Sequence, residues 1–251
     1  RVNEALLRTA RIAGDDLAYL DKEVARLWGE VAQRQEATIT LDKERFLELP
    51  LALKRHLLRR AIEELQGNLK DIETRHIEEI ITALTKPAGK RISLPGGLLF
   101  SIEYDRYLLA QDVATLSPFP HLETEFLLKI PGETFIPGWR IEATIIDPSV
   151  VKWVELVDNG YAAHFDLDKV GSKLTVRTRQ PGDRFQPLGM KQLKKLGEFM
   201  IDAKIPQSWR GRIPLVCSLQ HILWVVGWRI DDRVKVTEST KQILCLKFER
   251  I

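Results

Sequence analysis

Residues 175–216 read TVRTRQPGDRFQPLGMKQLKKLGEFMIDAKIPQSWRGRIPLV, and the changes of period within them predict strand, turn, helix, turn and strand in succession. Alternation in TVRTR places Arg177 and Arg179 on one strand face, about 7 Å apart, with Val176 and Thr178 on the other. QPGDRF is turn chemistry: Pro181 and Gly182 shape the chain, Asp183 can hydrogen-bond local backbone, and Arg184 emerges next to a helix start. The helix is predicted over Lys191 to Lys204. At 100° per residue, Leu193, Leu196, Phe199, Met200 and Ala203 gather on one side, and Lys191, Lys194 and Lys195 on the other. Trp209, Arg210 and Arg212 follow. Strand, turn, helix face and second turn thus all present cations, the arginines with the bidentate geometry that suits phosphate. Glu198 and Asp202 share the lysine face, with Lys194 and Glu198 at i,i+4 spacing, so a solvated, internally paired face is the alternative for any single residue.

Downstream, ILWVVGWR and KQILCLKFE read as strands. Upstream, strands are expected at TEFLLKI, WRIEATII, KWVELV (152–157), YAAHFDL and KLTVRTR, after a loop over 113–123. ISLPGG, LLFSIEY and YLLAQD form the start of a meander from residue 90. The first 88 residues are different. Val2, Leu6, Ala13, Leu17, Leu20, Val24, Leu27 and Val31 mark one face of a helix over 2–35. Thr38 to Leu41 is a short extended piece. Pro50 opens a second helix that stops near Gly67, and a third covers Thr74 to Leu84. The expected fold class is α+β. An all-helical module (1–88) precedes a strand-rich connecting layer (89–170) and a basic α+β domain (171–251) with a mainly antiparallel sheet.

The overall net charge of +3 hides an asymmetry. Residues 1–170 hold 22 Lys+Arg against 28 Asp+Glu, whereas residues 171–251 hold 16 against 7, and 171–212 alone hold 10 against 3. Such a bias predicts a polyanionic partner for the basic part. The chain starts at Arg1 rather than methionine, so it is expected to be either processed or part of something longer. No apolar run reaches the roughly 20 residues of a membrane helix and no signal-peptide pattern opens the chain, which makes a cytoplasmic location the expectation. Cys217 and Cys245 sit in apolar runs without CxxC spacing and read as small buried hydrophobes.

Other residues are weaker candidates. Lys54, Arg55, Arg59 and Arg60 spread around the second helix, as on a solvated surface. Trp139, Trp153, Trp224 and Trp228 lie in strand-like runs and suit core packing better than base stacking. Asp231-Asp232 suits an exposed turn better than a metal site. His221 has no placed carboxylate or serine partner, which leaves a hydrolase without its catalytic set. No catalytic or metal-binding residue is expected.

TVRTRQPGDRFQPLGM, KKLGEFMIDAKIPQSWRGRIPLV and ILWVVGWRIDDRVKVT, in that order, resemble the C-terminal domain of tRNA(Ile)-lysidine synthetases. ALLRTARIAGDD and the helix that follows resemble the helical substrate-recognition module of the same enzymes. The likeness is weak over 105–170. It implies a parent ligase that uses ATP with magnesium to adenylate a wobble cytidine of tRNA(Ile) and then adds lysine. The nucleotide site of that family is a PP-loop domain with an SGGxDS-type motif, which this chain lacks. Gly96-Gly97 stands in a hairpin-like SLPGGLL with no helix N-terminus after it to cradle phosphate. The chain itself is therefore expected to be inactive and to bind no cofactor. Its implied partners are tRNA(Ile) and the missing PP-loop domain. RNA-contacting roles carry over by resemblance to Arg177, Arg179, Arg184, Lys194, Lys195 and Lys204. Lys191, Arg210 and Arg212 join them on local charge alone. Gly197 departs from the pattern, standing where relatives often place another charged residue. The rival reading is a protein-interaction or dimerisation module without an RNA role, a homodimer being compatible with either.

Overall fold

The computed structural model of the chain describes residues 2–112, 116–149, 160–171 and 173–251. It contains two compact units, Arg1–Leu116 and Ser117–Ile251. The expected strand at 152–157, with Trp153, lies outside the described residues.

In the first unit, α1 (Val2–Val31) leads into β1 (Ala32–Gln35), β2 (Thr38–Asp42), α2 (Lys43–Glu48), α3 (Leu51–Gln66) and α4 (Thr74–Ala83). β3 (Arg91–Ser93), β4 (Leu99–Ile102) and β5 (Arg106–Ala110) complete an antiparallel sheet of order β1-β2-β5-β4-β3. Asp42 caps α2 by accepting from the Arg45 amide at 2.9 Å. Gly67 ends α3 in the left-handed conformation that favours glycine. The core joins Leu57, Ala61 and Ile62 of α3 and Ile77 and Ile80 of α4 to Ile39, Leu41, Phe100, Tyr107 and Leu109 of the sheet. Arg55 pairs with Glu78 at 2.6 Å, and Arg60 pairs with Glu64 at 3.1 Å while lying over the Trp28 ring. Much of the basic cluster on α3 is thus absorbed locally.

Two expectations change here. Residues 1–88 are not all-helical, because β1 and β2 belong to this unit's sheet. Residues 89–170 do not form one layer either: β3, β4 and β5 join β2 in one sheet, whereas among the described residues the strands after Ser117 pair within the second unit. α1 also buries less than its stripe promised. Val24, Leu27 and Val31 are buried, but Val2, Leu6 and Leu17 are exposed.

The second unit holds β6 (Phe126–Leu127), β7 (Gly132–Ile136), β8 (Trp139–Ile146), β9 (Ala162–Asp166), α5 (Leu167–Val170), β10 (Thr175–Arg177), β11 (Arg184–Phe185), β12 (Lys194–Lys195), α6 (Leu196–Asp202), β13 (Leu215–Cys217), β14 (Ile222–Val225), β15 (Arg229–Ile230) and β16 (Ile243–Arg250). One sheet runs β15-β14-β13-β10-β6, another runs β7-β8-β16-β9, and β11 pairs with β12. Among the described residues every pairing is antiparallel. β7 was not anticipated. Its hairpin with β8 turns at Pro137-Gly138, where Gly138 has φ +71° and a Cβ would sit 2.6 Å from the Pro120 ring. Both sheets contribute to one core, with Phe165, Leu244 and Leu246 from one and Val176, Leu215 and Val225 from the other. Trp139 and Trp224 are buried in it and Trp228 packs at its margin.

Tyr107 is fully buried between the Phe46 and Phe100 rings, and its hydroxyl donates to the Leu84 carbonyl at 2.8 Å. Burial pushes its phenol up to about 12, whereas an unfolded tyrosine ionises near 10. The raised value stabilises the fold below pH ~10 and that stability is lost as the pH rises towards 12. Tyr107→Phe is expected to cost about 1 kcal/mol at neutral pH and to flatten the alkaline loss. Urea denaturation at pH 7 and at pH ~10.5 checks this; equal alkaline losses in both proteins would contradict it.

Candidate nucleic-acid interface

The basic segment follows a loop whose shape is set by three aspartates. Pro181 and Gly182 make the turn, with Gly182 at φ +87°. Asp183 next to it takes both terminal nitrogens of Arg177, at 2.8 and 2.9 Å, and accepts from the Gln180 amide at 2.8 Å. Its backbone carbonyl accepts from the Leu196 amide at 2.9 Å. Arg177 is therefore committed to an internal pair, with only 16% of its side chain exposed. The hydrogen bonds it donates to Asp183 hold its guanidinium above its ordinary value. Arg177 does not stand beside Arg179 as a second surface guanidinium. The strand ends at Arg177, and its side chain braces the turn.

The other end of the loop is pinned by Asp231-Asp232. Asp231 is 0% exposed. It accepts from the Gln186 amide at 2.8 Å and from the Arg233 side chain at 2.8 Å through both its oxygens. Asp232 accepts from the Gly189 amide at 3.0 Å and Lys235 at 2.9 Å. The Gly189 bond first, and Lys235 second, hold its carboxyl below the usual range. The amide of Asp232 donates to Gln186 O at 2.7 Å, and that of Leu188 to Ile230 O at 2.9 Å. The pair was expected as an exposed turn. It is instead a latch between residues 186–190 and 230–232.

This latch explains a second correction. A helix starting at Lys191 is not formed, because Lys194 and Lys195 run extended against Phe185 and Arg184, and α6 begins only at Leu196. Lys191, Lys194 and Lys195 therefore share no helix face, and Leu193 is exposed rather than inward. Lys194 pairs with Asp202, and Lys195 with Glu198 at 3.6 Å.

Two clefts flank the Pro181–Asp183 turn. The first, of about 340 Å³, is lined by Arg179, Gln180, Lys195, Gly197, Glu198, Ile201 and Arg210, with Gly182 and Asp183 at its edge. Gly197 is a seat for Arg179: its missing Cβ would lie 3.4 Å from the guanidinium. Arg210 is oriented by a 2.9 Å bond from its Nε to the Ile205 carbonyl. Arg179, Lys195 and Arg210, from three separate segments, thus meet in one hollow. The second cleft, of about 490 Å³, contains Arg184 together with Lys173 and Arg177. Lys191, Lys204 and Arg212 line neither cleft. Lys173 was missed as a candidate, although it has the parity of Arg177 in KLTVR. Cys217 lies against the second cleft, where burial pushes its thiol up to about 12 and keeps it inert.

Gly96-Gly97 does not form a phosphate-binding loop. It lies in a one-turn 3-10 helix, Pro95–Gly97, followed by β4. The Gln66 side chain fills the space over Gly96 and donates to the Pro95 carbonyl at 3.2 Å.

Residues 41–107 match the family described as the TilS substrate binding domain, and residues 174–246 match the TilS substrate C-terminal domain. The chain is 46% identical over 245 residues to a tRNA(Ile)-lysidine synthase of Dehalococcoides mccartyi (strain CBDB1), covering 98% of this chain and 52% of that protein. A tRNA(Ile)-lysidine synthase of Caldanaerobacter subterraneus subsp. tengcongensis is 32% identical over 248 residues, again covering 98% and 52%. The chain thus spans about half the length of the curated relatives it matches. A solved TilS C-terminal domain aligns with 51% of this chain and 98% of its own at 27% identity and a TM-score of 0.43.

The two neighbouring arginines should separate in mutagenesis. Arg177→Ala strands a nearly buried Asp183 and is expected to cost about 2–3 kcal/mol, as is Asp231→Ala. Arg179→Ala, which breaks no internal pair, is expected to change stability by less than ~0.5 kcal/mol. Urea denaturation measures all three; equal losses for Arg177→Ala and Arg179→Ala would contradict the assignment of brace and surface cation.

Proposed function

The chain belongs to the tRNA(Ile)-lysidine synthase family, and on that premise we propose that it grips tRNA through the clefts of its second unit. The parent enzyme would ligate lysine to the wobble cytidine of tRNA(Ile) with ATP and magnesium, in the cytoplasm, using a PP-loop domain outside this chain. The observation that carries the reading is the meeting of Arg179, Lys195 and Arg210 in one hollow of the basic unit. Cations on a concave surface suit an A-form duplex, which proteins grip through its backbone, 2′-hydroxyls and shape. Arg184 acts from the adjoining cleft, and Lys191, Lys204 and Arg212 add weaker attraction from outside both hollows. Arg177 and Lys194, each paired with an aspartate, are positioning residues in this account.

A second, compatible reading is association with a protein surface, favoured by the exposed Val2, Leu6 and Leu17 of α1. A sedimenting dimer that ignores RNA would support it against the first.

Phosphate contacts release counterions, so binding of tRNA(Ile) should weaken steeply with salt. Replacing Arg179, Lys195 and Arg210 together by alanine is expected to lower the log–log salt slope by roughly 2–3, with the folded state checked by circular dichroism. Filter binding across a salt series measures it, and an unchanged slope would overturn the assignment.

A further inference from the structure

The second cleft has a chemistry that duplex backbone binding does not use. Ser218 closes a turn on itself: its hydroxyl accepts from the Gln220 and His221 amides at 3.3 and 3.1 Å, and its amide donates to the His221 carbonyl at 2.9 Å. This turn holds Leu219 out with 86% of its surface exposed. Leu127, on the edge strand β6, is 63% exposed, and both leucines line the same cleft. Single exposed leucines are ordinary. Two on one cleft are not, when Lys173, Arg184 and His221 line it as well; the His221 Nδ1 lies 3.3 Å from the Arg233 guanidinium. Among the described residues, neither Lys173 nor Arg184 has an acidic partner. Glu125 also lines the cleft and accepts from Thr175.

Apolar lips, a histidine, unpaired cations and one carboxylate, in a hollow of about 490 Å³, match the parts of a nucleotide. A bare phosphate has no use for the leucines and would be repelled by Glu125. A duplex keeps its bases stacked and out of reach, whereas an unpaired nucleotide exposes a base face, ribose hydroxyls that can donate to a carboxylate, and a phosphate. We propose that this cleft takes a single unpaired ribonucleotide: its base against Leu127, Leu219 and His221, its ribose near Glu125 and its phosphate on Lys173 and Arg184. The proposal rests on the RNA-binding reading above and adds a distinct site to it.

Two RNA hairpins, one blunt and one bearing a four-nucleotide single-stranded extension, test it by fluorescence anisotropy on the full chain. The variant carries Leu127→Ser and Leu219→Ser, both at exposed positions, with folding checked by circular dichroism. The variant should bind the extended hairpin about tenfold more weakly and the blunt one with unchanged affinity. Equal affinities of wild type and variant for the extended hairpin, or equal losses on both hairpins, would overturn the nucleotide site and leave the duplex reading standing. A wild type that binds neither hairpin would overturn both. Methyl NMR gives an independent check: cytidine 5′-monophosphate should shift the Leu127 and Leu219 methyl signals and inorganic phosphate should not. Equal shifts from the two probes would reduce the cleft to an anion site and overturn the proposal.

Discussion

Three carboxylates that face inward hold the basic surface in place. A buried carboxylate is tolerated only when it is paired and hydrogen-bonded; the buried Asp231 and the half-buried Asp183 and Asp232 meet that demand, Asp183 with Arg177 and Gln180 nearby and the other two with amides more than forty residues away. Asp183 ties the turn to strand β10 through Arg177. Asp231 and Asp232 tie residues 186–190 to the segment after β15. Between these anchors the chain cannot coil into the helix that its periodicity favours, so residues 194–195 run extended and leave a hollow on each side of the turn.

This arrangement also sorts the charges. Acidic residues in the segment are largely spent on internal bonds: Asp183 on Arg177, Asp202 on Lys194, Asp231 on Arg233. Each such bond ties up one cation, yet Arg179, Lys195 with its partner Glu198, and Arg210 line one cleft and Lys173 and Arg184 line the other. Electrostatic attraction in water depends on charges that are close together and solvent-facing. Placement, more than the count of basic residues, therefore makes this unit a candidate for gripping a polyanion. Gly197 contributes by being small, since a Cβ there would already touch the Arg179 guanidinium at 3.4 Å.

Much of this was legible in the sequence. The α+β class followed from period changes, α3 ended at Gly67 as predicted, and α4 ended with its C-cap at the predicted Leu84. The aspartates were harder. Nothing local in GWRIDDR distinguishes a buried latch from an exposed turn, because the partners of Asp231 and Asp232 include amides at 186 and 189, more than forty residues away. The same bonds explain why helix periodicity failed over 191–195, where tertiary pairing with Arg184 and Phe185 overrode it. Alternation in KLTVRTR placed Arg177 and Arg179 on one face, but it could not show that one would turn to Asp183 and the other to Gly197. The division into units was misplaced for a similar reason: strand pairing, which assigns residues 91–110 to the first unit, leaves no mark on composition.

The central claim is that tRNA is held at the clefts and not by the basic segment at large. Lysine acetylation read by mass spectrometry, with and without saturating tRNA, addresses it most directly. The account predicts that bound tRNA shields Lys195 and Lys173, while Lys191 and Lys204 stay close to their free reactivity. Shielding of Lys191 and Lys204 with Lys195 left reactive would contradict it.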